Sequence, residues 1–232
     1  MSKSAPRQQK ARKPMSAEDH YEDVRAQILD AALPDVPFDG WTGKSMREAA
    51  KKAGVESGLA RLALPGGTVD LVRYFIADGD RRMALELAKH DLPAMKVRER
   101  ITFAVRTRLE VDEHNREALR RATAYLALPT SGTAAPRALY GTVDAIWRAA
   151  GDTSTDYNFY TKRLILSGVY TSTAAVWFGD DTDGFEKTWA FLDRRIEDVM
   201  QIEKVKGKAE KVLSALPSPL GLMARLRYPL GR

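Results

Sequence analysis

Hydrophobic positions along this chain recur every three to four residues, the period of a helix buried on one side. Tyr21, Val24 and Ile28 mark a first helix that Pro34 must end, because proline lacks the amide proton and its ring collides with the preceding turn. Residues 34–40 read as a loop, and residues 44–53 as a short second helix closed by Gly54, a residue type suited to a left-handed cap. A third short helix starts at Ser57 and stops at Pro65-Gly66-Gly67. Leu71, Val72, Phe75, Ile76 and Met83 predict a longer helix ending near His90. Ile101, Ala104, Val105, Arg108 and Leu109 follow the spacing of a one-sided helix, and Leu119, Ala122 and Leu126 continue it until Pro129. Leu139, Val143, Ile146 and Trp147 define the next helix, ended at Gly151. No run sustains the two-residue alternation of a strand. The expected fold class is all-α, with about nine to ten helices.

The last two helices differ from the rest. Ser154, Thr155 and Asp156 can each cap a helix start, since a short side-chain oxygen accepts an orphan amide proton of the first turn. The aromatic cluster Tyr157, Phe159 and Tyr160 follows at once, and from Leu164 to Gly179 there is no charge. A helix apolar on nearly every side must be buried on two faces. Phe185, Trp189, Leu192, Ile196 and Val199 form a stripe on the following helix, with Asp183 as its expected cap and Glu186 as the reciprocal partner. Pairing both helices with those of a second copy would bury them, so a homodimer is expected, with the inner faces lining a core or cavity.

Charge changes the picture at the ends. Residues 1–16 carry five basic residues and no acid, and residues 201–232 carry seven basic residues against Glu203 and Glu210. Residues 17–200 therefore hold 25 basic and 29 acidic residues, so the body is mildly acidic although the chain is +6. Domains are expected at 1–15 (a basic tail), 16–76, 77–205 and 206–232. The first 15 residues are basic and acid-poor like a transit peptide but lack its apolar stripe. The uncharged run 164–179 is shorter than the roughly 20 residues a membrane-spanning helix needs, so a soluble protein is expected.

Chemistry of its own is not expected. There is no cysteine, hence no disulfide, thiolate nucleophile or cysteine zinc site. His20, His90 and His114 lack metal-ligand spacing, and no phosphate loop or nucleophile elbow occurs. The run 179–184 looks like a calcium loop, but Gly179 and Ala190 would fill its first and twelfth positions, where oxygens are required. No enzyme activity, cofactor or metal follows.

The run from Gly151 to Arg163, together with Thr188-Trp189-Ala190-Phe191-Leu192, resembles the ubiquinone (coenzyme Q) biosynthesis accessory proteins, a helical lipid-binding family with a TetR-like fold. The resemblance covers about residues 20 to 205. It implies that the chain holds an isoprenoid, quinone or phospholipid and presents a quinone precursor to a hydroxylase at a membrane. The expected place is the cytoplasmic inner face of the membrane, or the mitochondrial matrix in a eukaryote. Residues 28–83 also resemble the DNA-binding part of TetR-type regulators, through Ile28-Leu-Asp-Ala-Ala32 and Met46-Arg-Glu-Ala-Ala-Lys-Lys-Ala-Gly-Val55. The stretch that would enter the major groove, Leu59 to Gly67, offers Arg61 but no Tyr, His, Asn or Gln to read a base. No nucleic-acid partner is expected, and a ligand-responsive regulator is the alternative.

Candidate residues fall in three groups. Phe75, Phe103, Tyr125, Leu126, Trp147, Leu164 and Tyr170 each read alone as core, but as a set they suit an apolar cavity. Phe159 and Tyr160 match the position where the family places a Trp-Tyr pair on its partner-docking face, and Ile146 and Ala149 are the expected rest of that patch. Tyr160 as an interior residue is the alternative. In the tail, Leu220, Met223 and Leu226 form an apolar stripe beside Arg225 and Arg227, as in a helix lying in an anionic bilayer interface. Packing of the tail back onto the body is the alternative.

Overall fold

The computed structural model describes residues 16–152 and 157–215. Among them are ten α-helices and no strand: α1 (Ala17–Ala32), α2 (Val36–Asp39), α3 (Gly43–Lys52), α4 (Ser57–Ala63), α5 (Thr68–Leu87), α6 (Val97–Glu110), α7 (Arg116–Leu126), α8 (Ala134–Ala149), α9 (Tyr157–Phe178) and α10 (Glu186–Ala215). The chain divides into two compact units, one of Met1–Leu85 with Glu110–Thr142, the other of Glu86–Leu109 with Val143–Arg232. The expected boundary after residue 76 thus falls inside α5. The two units likewise divide within α5, between Leu85 and Glu86.

In the first unit, α1 packs on α3 and α4. Its start is fixed by a reciprocal cap: the Ser16 hydroxyl accepts from the Asp19 amide (3.1 Å) and the Asp19 carboxylate from the Ser16 amide (3.0 Å). Thr42 and Ser45 repeat the device at α3, and Gly54 closes that helix with φ +69°. Residues 34–40, expected as a loop, contain the single turn α2. Pro37 sits in its first turn, where a missing amide proton costs nothing and the fixed φ is already helical. Phe75 is fully buried against Trp41, ring centroids 5.5 Å apart, and the Trp41 indole donates to the Ala118 carbonyl at 3.0 Å.

In the second unit α9 packs against α10. Leu166, Val169, Thr173 and Trp177 of α9 are buried, as are Leu192 and Ile196 of α10. The opposite side of α9 is open in the single chain: Tyr160 is 69% and Leu164 75% exposed, with Gly168, Thr171 and Ala175 exposed beyond them. Burial on two faces is therefore not reached within one copy. The cap of α10 also differs from expectation. Asp183 is exposed and makes no capping bond; the buried Asp180 accepts from the Thr188 amide (2.8 Å) and hydroxyl (2.7 Å) and from the Thr182 amide (3.0 Å) and hydroxyl (2.5 Å). The turn of Asp183–Phe185, left-handed at Gly184 and Phe185, carries Asp183 past the first turn of α10 and leaves that turn to Asp180. Burial alone would raise the Asp180 carboxyl, but the bonds from Thr182 and Thr188 outweigh it and hold it below the usual carboxylate range.

Candidate functional site

The second unit places a buried ion network beside an apolar groove. Arg163, only 3% exposed, donates from Nε to Asp144 of α8 at 2.7 Å and from Nη1 to Asp152 and to the Phe159 carbonyl at 3.3 and 3.2 Å. A buried charge is tolerated only when paired and hydrogen-bonded, and the guanidinium, with donors in a rigid fork, meets both carboxylates. Its Cζ lies 3.4 Å from the centre of the Phe159 ring, which in turn meets Tyr160 edge-on at 5.1 Å. Arg148 joins Asp144 at 2.6 Å, and Lys162 joins Asp152 at 3.0 Å. This network ties the end of α8 to the start of α9.

Below it lies a groove of about 280 Å³. Val97, Arg98 and Ile101 reach it from α6, Trp147 from α8, Lys162, Ile165, Leu166 and Val169 from α9, and Ile196, Val199 and Met200 from α10. The spacing explains the convergence: Val97 and Ile101, Ile165 and Val169, and Ile196 and Met200 are each one turn apart on their helices. The Trp147 indole donates to the Lys162 carbonyl at 3.3 Å, and the Lys162 ammonium stands 5.4 Å from the Trp147 ring. The Trp147 ring is therefore held as a fixed wall. Next to the groove is a second cleft of about 630 Å³ that shares Arg98 and is bordered by Lys96, Glu99, Thr102, Phe103, Arg106 and Asp193. Such an arrangement has the room and the apolar walls to take an extended apolar chain.

Of the seven expected ligand residues, Trp147 lines the groove, and Phe103 lines the cleft while stacking edge-on with His90 at 4.9 Å. Tyr170 is half-buried and Leu164 points to solvent on α9. Phe75, Tyr125 and Leu126 belong to the first unit, where Phe75 and Leu126 are core, so they are not brought to the groove. On the expected docking patch, Tyr160 is exposed, Phe159 and Ala149 are half-buried, and Ile146 is fully buried. Ile146 is thus corrected to a core residue, because it lies on the inward side of α8 between Val143 and Ala150, which are buried as well. Leu220, Met223, Arg225, Leu226 and Arg227 lie outside the described residues, as do the expected caps 154–156. The groove walls on α6 and α10 were missed, although Val97, Ile101, Ile196 and Met200 stand at helical spacing in the sequence.

The first unit has its own concavity, about 740 Å³, between α3 and α4. Arg47, Lys51, Arg61 and Glu56 border it with Met46, Val55 and Leu64. Two further cations of this stretch are already engaged, Lys44 with Glu48 at 3.9 Å and Lys52 with Asp35.

Most of the groove falls in a stretch of this chain that a known family shares. The COQ9 family description matches residues 132–203. A COQ9-B ubiquinone biosynthesis protein of Xenopus laevis, named mitochondrial, is 32% identical over 206 residues, covering 84% of this chain and 70% of that protein. The chain belongs to the COQ9 family. COQ9 proteins of Rattus norvegicus and Homo sapiens, likewise named mitochondrial ubiquinone biosynthesis proteins, are 33% and 32% identical over 84% of this chain. The chain spans 66% and 64% of their respective lengths. A TetR transcriptional regulator of Nitrosomonas europaea has the same fold, with a TM-score of 0.60 over 75% of this chain and 97% of the regulator at 19% identity. The COQ9 family match contains Trp147 and every groove residue of α9 and α10, while the α6 wall lies before it.

Proposed function

We propose that the chain is a non-catalytic accessory protein of ubiquinone biosynthesis that holds an isoprenoid or phospholipid chain in the groove of its second unit. There it presents a quinone precursor to a hydroxylase at a membrane surface. The observation that carries this reading is the groove itself: apolar side chains of four helices converge on it, while Lys162, one of its two cations, is neutralised by Asp152. Membership of the COQ9 family supports the pathway, and the names of the relatives support a mitochondrial place in a eukaryotic cell. The uncharged exposed stripe Leu164, Gly168, Thr171 and Ala175 supports a homodimer through α9, since small residues let a second helix approach closely. Tyr160 is the anchor we assign to the hydroxylase, because an exposed tyrosine offers a large rigid surface at low entropy cost. No described helix is long and apolar enough to cross a membrane. We assign attachment to residues 212–232, where Arg225 and Arg227 stand beside Leu220, Met223 and Leu226 in the sequence.

Organic extraction of the purified protein followed by mass spectrometry tests the central part. A stoichiometric apolar ligand is expected; repeated preparations without lipid would sink it. Removing residues 212–232 should abolish binding to anionic liposomes while leaving the extracted ligand in place.

A further inference from the structure

We infer that the groove selects a chain carrying an anionic head, and that Arg98 is the cation that receives it. This rests on the lipid-binding reading above and narrows its ligands to phospholipids and to prenyl chains whose head carries an acidic group. The groove, about 280 Å³, falls just below the range of ligand pockets, roughly 300–1,000 Å³. It accommodates one chain and not a whole lipid, so the head must emerge. Two cations border the groove, Lys162 and Arg98. Lys162 is satisfied by Asp152 at 3.0 Å and by the Trp147 ring. Arg98 makes no hydrogen bond or ion pair among the described residues, and it is shared by the groove and the neighbouring cleft.

The cleft continues the argument. It is bordered by three cations, Lys96, Arg98 and Arg106, against two carboxylates, Glu99 and Asp193. The Glu99 carboxylate is taken by the Lys96 amide at 3.0 Å, and the Arg106 guanidinium lies 4.7 Å from the centre of the Trp189 ring. Lys96, like Arg98, has no ion pair among the described residues. A head leaving the groove past Arg98 therefore meets a planar guanidinium that binds phosphate or carboxylate through two parallel bonds, with a lysine close by. The plainer role of Arg98 is a solvated cation whose stem lies on the apolar wall. The two roles predict different affinities for the same chain with and without a charge.

The test titrates the full chain with decyl phosphate, decanol and inorganic phosphate, each read by native mass spectrometry. Decyl phosphate should bind about ten-fold or more tightly than decanol, the effect of a charge-assisted bond, and inorganic phosphate alone should not bind. Arg98→Gln should bring decyl phosphate down to the level of decanol and leave decanol unchanged, while Arg98→Lys keeps most of the preference. Arg98→Gln binding decyl phosphate as the parent does, or decanol binding equally well to the parent, would overturn this inference and leave the lipid reading standing. Inorganic phosphate binding as tightly as decyl phosphate would show an anion site independent of the groove, also against it. If neither decyl compound binds, the lipid reading fails and this inference fails with it.

Discussion

The concavity between α3 and α4 and the groove of the second unit are made from the same kind of element and differ in what they are lined with. The one on the first unit is larger, about 740 Å³ against 280 Å³, yet it is bordered by Arg47, Lys51, Arg61 and Glu56 on short helices. The groove of the second unit is smaller and receives apolar side chains from all four contributing helices, with Arg98 and Lys162 as its two cations. Size alone would favour the first, lining the second. A concavity rimmed by solvated charges is the space left between a helix-turn-helix pair, whereas apolar side chains left facing a groove are an unmet demand for burial. The exposed apolar residues repeat the contrast. On the first unit Phe38, Leu62 and Leu128 stand on separate elements, as scattered surface residues commonly do, while Tyr160 and Leu164 share one uncharged face of α9.

The comparison breaks most visibly at the ion network. Arg163→Ala should cost about 3 kcal/mol, because Asp144 and Asp152 would lose the buried cation they share and keep only Arg148 and Lys162, measured by chemical denaturation. A loss below about 1 kcal/mol would mean that the network does not hold the α8–α9 junction. Leu164→Glu should weaken self-association by about 2 kcal/mol or more, read by sedimentation, with the monomer still folded; an unchanged dimer removes α9 from the interface.

Asp180→Asn sharpens the account of α10. The carboxyl is depressed in the fold, so its stabilisation is fully present above its unfolded value, about 3.9, and fades as pH falls towards the folded value. The variant should melt roughly 5 °C lower near pH 7 and depend less on pH below 4. Parallel melting curves down the acid limb would contradict that. The smallest effect belongs to the first unit: Arg47→Gln, Lys51→Gln and Arg61→Gln should each change stability by less than about 0.5 kcal/mol. Selection on random duplexes should yield no enriched motif; a palindromic consensus would make the first concavity a DNA-reading surface.

Helical periodicity made the all-α fold legible, down to Gly54 as the end of α3 and Pro129 beyond α7. The departures have local causes. Pro37 starts a turn where prolines suggested a loop, and the left-handed Gly184 and Phe185 shift the α10 cap from Asp183 to Asp180. The groove was legible only through Trp147. Its other walls need the tertiary convergence of α6, α9 and α10, which helical spacing shows as buried faces without saying which faces meet. Arg163 is the last charge before an uncharged run, but nothing in the sequence marks it as buried, and its partners Asp144 and Asp152 lie 19 and 11 residues away. Phe75 and Leu126 show the converse: aromatic and aliphatic residues at helical spacing are first of all core.

The central claim is that the smaller groove, and not the larger concavity, holds the ligand. Extraction and mass spectrometry of three proteins tests it directly: the parent, Ile165→Trp in the groove, and Val55→Trp in the first unit. The account predicts co-purified lipid in the parent and in Val55→Trp, and its loss from a folded Ile165→Trp. Lipid retained by Ile165→Trp but lost from Val55→Trp would contradict it.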